Sequence, residues 1–164
     1  HLKIIESYTE KSLKQYYDLL KETYAYNNFT PLPFQFYKDV ITHYHEKGEC
    51  RFLLAVYKGK PIGTIVGITY KETLYYWTGG FLREQSQLYP NDLLQWELIK
   101  WGYQKGVKIY DMLGGDIEGI RNFKLGFGGE LVEYKKVFSG KKLYLLASLY
   151  AKFGMGLRNV LRRI

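Results

Sequence analysis

The chain has 164 residues, of which 46% are hydrophobic and 18% aromatic, so it is long and apolar enough to fold around a buried core. Its single cysteine, Cys50, excludes an intramolecular disulfide and a cysteine-rich metal site. The sequence has no run of about 20 apolar residues and no signal-peptide pattern, so we expect a cytoplasmic protein.

The net charge of +8 is concentrated at the C-terminal end. Residues 135–164 contain eight basic side chains and no acidic one, which leaves 16 basic and 16 acidic residues in 1–134. A basic end suits a phosphate-bearing partner, such as nucleic acid, an anionic lipid surface or a nucleotide-linked substrate. The alternative interpretation is a helix face that is simply solvated.

Hydrophobic periodicity divides the chain into alternating helices and strands. Thr9 is a suitable helix N-cap, and Leu13, Tyr16 and Leu20 follow at helical spacing. Short turns separate three consecutive strands, which predicts an antiparallel meander. The predicted elements are a strand at 1–8, helices at 9–28 and 34–47, strands at 50–59, 61–71 and 74–81, a helix at 91–105, a strand at 107–113, a short helix at 119–127, a strand at 131–138 and a basic amphipathic helix at about 142–164.

This order predicts an α+β domain with a mixed, mostly antiparallel central sheet flanked by helices. We expect Asn91 or Asp92 to cap the helix at 91–105, Gly106 to end it and Gly119 to begin the next helix. The order of elements also resembles that of the GNAT acyltransferase fold.

Residues 110–129, YDMLGGDIEGIRNFKLGFGG, contain six glycines and one Phe-Lys pair. Gly114 and Gly119 have the spacing of a P-loop, but the Lys-Ser/Thr that would contact phosphate is missing, and no dinucleotide-binding fingerprint is present. We therefore interpret these glycines as turn residues that allow positive φ or a close approach to a ligand. They would hold the short helix next to the end of the preceding strand.

A family resemblance extends over residues 85–135. The run YPNDLLQWELIKWGYQKGVKIYDMLGG, followed by GIRNFKLGFGG, resembles the C-terminal GNAT-type domain of the Fem-like proteins. These include peptidoglycan-bridge aminoacyltransferases and FemAB-like acetyltransferases of envelope-polysaccharide pathways. The matching residues are Pro90, Asn91, Asp92, Leu93, Leu94, Trp96, Gly106, Tyr110, Asp111, Gly114, Gly115, Phe123, Lys124, Phe127 and Gly128.

The resemblance implies an acyl- or aminoacyltransferase that modifies an amine or hydroxyl of a cell-envelope precursor, either peptidoglycan or polysaccharide. Phe123 and Lys124 match the Phe-Lys pair of the acyl-transfer site, where the lysine stabilises negative charge, an effect of about 3–4 kcal/mol for a well-placed donor. Asp111 is either a general base or, more commonly for an Asp beside glycine, an acceptor of turn N–H groups. The other predicted site residues are Tyr76, Trp77, Tyr110, Gly114, Gly115 and Arg121 for the substrate, and Asn91, Asp92 and Leu93 for the donor.

Several alternatives stay open at the level of the sequence. Tyr76 and Trp77 lie on a strand whose alternate residues must form core, and Lys124 on a short helix could be a solvated lysine. His43 and His45 have no third partner, so we expect no metal site.

The donor is also open. GNAT enzymes that use acetyl-CoA usually carry an Arg/Gln-x-x-Gly-x-Gly/Ala loop whose N–H groups hold the pyrophosphate, whereas REQSQLYPNDLL has no glycine. The helix start can still offer N–H groups, and Fem-like aminoacyltransferases, which share the loss, use aminoacyl-tRNA. We therefore expect no tightly bound cofactor, and either acyl-CoA or aminoacyl-tRNA as the donor co-substrate.

Fem-like proteins generally pair two such domains. The chain is therefore either a single-domain version or the C-terminal half of a longer protein. The alternative function is a non-catalytic GNAT-fold module that attaches to a membrane or to RNA through the basic helix at 142–164.

Overall fold

The computed structural model of the chain describes residues 1–133. Residues 1–124 form a compact unit, to which every residue of the site below belongs. The residues after it contain a turn in which the Gly128 N–H donates to the Leu125 carbonyl at 2.9 Å. In chain order the elements are β1 (Lys3–Glu6), α1 (Glu10–Tyr26), α2 (Phe34–Glu46), β2 (Cys50–Tyr57), β3 (Lys60–Tyr70), β4 (Thr73–Phe81), a 3₁₀ helix (Arg83–Leu88), α3 (Pro90–Lys105), β5 (Ile109–Asp111) and α4 (Glu118–Leu125).

Within these residues, β1 to β5 form one sheet whose spatial order equals the chain order. The first four strands are antiparallel neighbours, which confirms the predicted meander. β5 adds to β4 in parallel, with Leu74 opposite Tyr110 and Tyr75 opposite Asp111. The predicted α+β architecture with a mixed, mostly antiparallel sheet is confirmed.

Both faces of the sheet are covered, so its central strands are apolar on successive residues rather than alternately. On one face, Phe52 and Leu54 of β2 belong to a core cluster with residues of α1 and α2. On the other face, Leu53 belongs to a cluster with Leu94 and Leu98 of α3. α3 packs closely against the sheet at Gly67, where a β-carbon would lie 2.9 Å from the Leu98 side chain.

Helix α1 begins and helix α3 ends where the sequence predicts. The Thr9 hydroxyl accepts the Ser12 N–H at 3.2 Å, as expected of an N-cap. Gly106 has a φ of +74°, and its N–H donates to the Tyr103 carbonyl at 3.0 Å, which is the usual way for glycine to terminate a helix.

The predicted start of α3 is wrong. Tyr89, with a φ of +52°, occupies the N-cap position, and Asn91 and Asp92 lie in the first turn. The reason is Pro90, whose fixed φ and missing N–H suit the first helical position better than an interior one.

Other boundaries near the C-terminal side also differ. The strand predicted at 107–113 is limited to Ile109–Asp111, because Leu113 adopts a φ of +51° and turns the chain. α4 begins at Glu118 rather than at Gly119. Residues 131–133 are not in a strand; the rest of the strand predicted at 131–138 and the helix predicted at 142–164 lie outside the described residues, so the prediction of a single domain over 1–164 is untested.

Candidate active site

A cavity of about 1000 Å³ lies where β4 and β5 separate. The two strands pair only as far as Tyr75 and Asp111, while β4 continues for six further residues, to Phe81. The cavity wall includes this part of β4, which pairs with β3 but not with β5, together with the end of α1, the start of α3 and the segment after β5. Gly80 of β4 lets α1 approach closely, since a β-carbon on Gly80 would lie 2.2 Å from the Thr23 hydroxyl.

The segment after β5 forms a tight turn. The Asp111 carboxylate accepts the Leu113 N–H at 2.8 Å, and Leu113 and Gly114 have φ values of +51° and +34°. This bond supports the turn-orienting role of Asp111 that the sequence favours, and the role itself stays a prediction. The turn directs the carbonyl groups of Leu113 and Gly114 toward α4.

Lys124 of α4 binds this turn from the cavity side. Its Nζ donates to the Leu113 carbonyl at 2.5 Å and to the Gly114 carbonyl at 2.7 Å, and it lies 5.7 Å from the centre of the Tyr76 ring. Burial lowers the pKa of the Lys124 ammonium, and the nearby Asp111 carboxylate opposes that shift. An ammonium group has three N–H donors, so one remains after these two bonds to meet a ligand atom.

Two tyrosines, Tyr76 of β4 and Tyr110 of β5, lie close to the point where these strands separate. Burial raises the pKa of Tyr76 to about 12, so its hydroxyl stays protonated at neutral pH. The Tyr110 hydroxyl donates to Oε1 of Gln95, a fully buried side chain of α3. Burial also raises the pKa of Tyr110. The Tyr110–Gln95 hydrogen bond connects β5 to α3 close to the point where β4 and β5 separate. Nε2 of Gln95 is buried without a hydrogen-bond partner among the described residues.

The family model for the acetyltransferase (GNAT) domain matches residues 2–136, most of the chain. The chain belongs to the GNAT acetyltransferase family. The membership confirms the predicted enzyme class, an acyltransferase, and acyl-CoA is the co-substrate of this family. No curated protein sequence matches the chain.

Solved structures share the fold at low sequence identity. The aminoglycoside acetyltransferase AAC(6')-Iy, in complex with the bisubstrate analogue CoA-S-monomethyl-acetylneamine, is 15% identical with a TM-score of 0.66, and the match covers 86% of this chain and 98% of that chain. AAC(6')-IG from Acinetobacter haemolyticus is 14% identical with a TM-score of 0.63, covering 85% and 97%. FemX is 14% identical with a TM-score of 0.68, covering 75% of this chain and 49% of FemX. A Fem-type relationship therefore stays a prediction within a confirmed GNAT domain.

The predicted donor residues of this GNAT domain divide into two groups. Asn91 and Asp92 line the cavity from the first turn of α3, where backbone N–H groups have no intrahelical acceptor. Leu93 does not line the cavity, and its N–H already donates to the Tyr89 carbonyl at 3.2 Å. The helix start thus offers N–H groups to a donor from fewer positions than the sequence predicts.

The other predicted residues also divide. The cavity is lined by Tyr76, Trp77, Gly114, Phe123 and Lys124. It is not lined by Asp111, Tyr110, Gly115 or Arg121, although Asp111 accepts the N–H of Leu113, which does line it. The roles of all these residues remain predictions.

Sequence reasoning missed part of the cavity wall. Tyr26 and Phe29 contribute from the end of α1 and the loop that follows, and Arg83 contributes from the start of the 3₁₀ helix. Gln95 was missed too. No short motif marks these residues, since only the folded chain brings Tyr26 and Arg83 together.

Within residues 1–133, no group of three or more His, Cys, Asp or Glu side chains could hold a metal ion. None of the helices in this part of the chain is long and apolar enough to cross a membrane.

Proposed function

We propose that this GNAT domain transfers an acyl group to an amine or hydroxyl of a cell-envelope precursor, with Lys124 as the group that stabilises the transition state. The observation that supports the proposal most is the position of the Lys124 ammonium in the cavity at the β4–β5 gap. The Fem-like pattern around Phe123 and Lys124 supports the envelope acceptor. Acyl-CoA is the expected donor, with aminoacyl-tRNA as the alternative.

The chemistry follows from the charge that develops during transfer. The acceptor lone pair attacks the acyl carbonyl carbon, a C–N or C–O bond forms, and the carbonyl oxygen becomes an oxyanion. When the tetrahedral intermediate collapses, the C–S or C–O bond to the carrier breaks and the acceptor proton is lost to solvent. The free N–H of Lys124 is suited to the oxyanion, while Leu113 and Gly114 hold the ammonium in place.

Asp111 acts in this proposal through its neighbours. It accepts the Leu113 N–H, which fixes the carbonyl groups that Lys124 binds, and its negative charge favours the protonated lysine. It is therefore a positioning residue here rather than the general base.

The test begins with the donor. Acetyl-CoA, longer acyl-CoAs and aminoacyl-tRNA are compared for their ability to raise the melting temperature, since a ligand that binds only the folded state stabilises it. Transfer from the best donor to peptidoglycan and polysaccharide precursors is then followed by mass spectrometry. Transfer only to an aminoglycoside, and to no precursor, would contradict the envelope acceptor.

The substitution Lys124→Met removes the cation but keeps a similar length of side chain. We expect kcat/KM to fall about 100- to 1000-fold, the usual loss when one oxyanion donor is removed. Lys108→Met is the control, because Lys108 pairs with Glu72 at the surface and does not line the cavity. Full activity in Lys124→Met, at an unchanged melting temperature, would show that the assigned role is wrong.

The basic C-terminal end supports a second element of the proposal, a peripheral contact with anionic membranes. Residues 142–164 lie outside the described residues, so the support is the sequence pattern alone. Replacing Arg158, Arg162 and Arg163 by Gln should weaken flotation with anionic liposomes and leave transfer to a water-soluble acceptor unchanged. Equal flotation of both forms would contradict the contact.

A further inference from the structure

Arg83 and Tyr26 form a stacked pair in the cavity wall. The guanidinium carbon lies 3.3 Å from the centre of the Tyr26 ring, a separation that requires the two planar groups to lie face to face. Both side chains are exposed, and both line the cavity at the β4–β5 gap. Stacking occupies the face of the guanidinium and leaves its N–H groups, which lie in its plane, free to bind.

The guanidinium N–H groups of Arg83 have no acceptor within the described part of the protein. Within residues 1–133, the Arg83 side chain forms neither a hydrogen bond nor an ion pair. Glu22 and Glu84 line a small side cavity of about 150 Å³ together with Arg83, yet neither carboxylate pairs with it. Among the described residues, the Arg83 guanidinium is therefore held by its contact with the Tyr26 ring, and its N–H donors are available to a ligand.

The position of Arg83 separates it from the predicted donor site. The 3₁₀ helix Arg83–Leu88 has six residues, which at about 2 Å per residue span roughly 12 Å between Arg83 and the start of α3. A backbone separation of that size leaves room for an anion at Arg83 beside a donor phosphate at Asn91 and Asp92. Around Arg83 the wall is aromatic, with Tyr26 and Phe81.

We propose that Arg83 and Tyr26 bind a phosphate group that the acceptor carries on a sugar-like ring. A guanidinium with a free edge matches phosphate through paired N–H donors, and flat aromatic side chains suit the apolar faces of a ring. This inference rests on the proposed acyl transfer, because it names the class of acceptor for the same cavity.

The experiment measures binding rather than transfer. Isothermal titration compares N-acetylglucosamine 1-phosphate, N-acetylglucosamine and the polycation neamine on the full chain. We expect the sugar phosphate to bind at least about tenfold more tightly than the neutral sugar, and Arg83→Gln to weaken it about 10- to 100-fold. In Arg83→Gln, the Kd of the neutral sugar should change by less than about twofold. The Kd of the sugar phosphate in Arg83→Lys should lie between those of the wild-type and Arg83→Gln proteins, because lysine lacks the planar guanidinium.

Lys60→Gln is the matched control, since it removes the same charge from an exposed residue outside the cavity. The inference is overturned if the sugar phosphate does not bind, if it binds no better than the neutral sugar or neamine, or if Lys60→Gln has the same effect as Arg83→Gln. It is also overturned if Arg83→Gln weakens acetyl-CoA instead, which would place the donor at Arg83. Because no transfer is measured, each of these results leaves the role of Lys124 to its own test.

Discussion

Residues 1–106 and residues 107–124 are stabilised in different ways. The first part contains the buried side chains of both core clusters, including Phe52, Leu54 and Leu98, which are fully inaccessible to solvent. The second part has no buried residue, and its turn is held by the Asp111 carboxylate and the Lys124 ammonium. The first part is therefore a scaffold stabilised by apolar burial, whereas the second part is stabilised by a few polar contacts. A bound ligand can replace such polar contacts with hydrogen bonds to itself.

The largest difference is expected for stability. Phe52→Ala should lower the free energy of unfolding by about 3–5 kcal/mol, because Phe52 packs against Tyr8 and Tyr16 in the core. Ile120→Ala in α4 should cost about 1 kcal/mol or less, since Ile120 is 39% exposed. Urea unfolding measures both values. Equal losses would mean that the two parts do not differ as described.

A smaller effect is expected at the junction between the two parts. Tyr110→Phe removes the hydroxyl that donates to Gln95 and leaves a buried amide with neither of its polar atoms paired. The expected cost is about 1–3 kcal/mol in the free energy of unfolding. Tyr103→Phe, at a residue that is 86% exposed, should have almost no effect. A Tyr110→Phe protein as stable as this control would show that the buried bond contributes nothing.

The smallest effect is expected in the pH dependence of transfer. Because burial lowers the pKa of Lys124 below the ordinary 10.5, activity that needs the ammonium should fall as the pH rises through that lowered value. Asp111→Asn removes a charge that raises this pKa, so the fall should begin at a lower pH. Lys124→Arg should keep its charge throughout the range.

Stability should change with pH in a related way. Between the lowered pKa of the folded state and the ordinary pKa of the unfolded state, the unfolded chain binds more protons at Lys124, so this residue makes stability rise with pH across that interval. Profiles of kcat/KM and of unfolding free energy between pH 7 and 11 measure both effects. If activity falls at the same alkaline pH in the wild-type and Asp111→Asn proteins, the charge of Asp111 does not influence the pKa of Lys124.

The sequence predicts the scaffold well because its signals are local. Helical spacing after Thr9, continuous apolar strands and short turns each depend on neighbouring residues, and all of them appear in the structure. The start of α3 was missed because Pro90 outweighs the capping preference of Asn91 and Asp92. The early end of β5 was missed because a non-glycine residue, Leu113, adopts positive φ.

The candidate site was predictable only in part. Phe123 and Lys124 were found through a motif, and the structure places both in the wall of a cavity. Arg83 and Tyr26 are 57 positions apart, and Tyr110 and Gln95 meet across two elements, so neither pair has a local signal in the sequence. The Tyr110–Gln95 contact follows from the register of β5 beside β4, and the Arg83–Tyr26 contact follows from the packing of α1 against the end of β4. Hydrophobic patterning fixes neither.

The most direct test of the role of Lys124 is a crystal structure of the chain with a ketone analogue of acetyl-CoA, in which a methylene group replaces the thioester sulfur. We expect the Lys124 Nζ to lie within hydrogen-bonding distance, about 3 Å, of the analogue carbonyl oxygen, with the Leu113 and Gly114 carbonyls still among its partners. A carbonyl oxygen bound elsewhere, with the ammonium more than about 6 Å away and directed to solvent, would contradict the proposal.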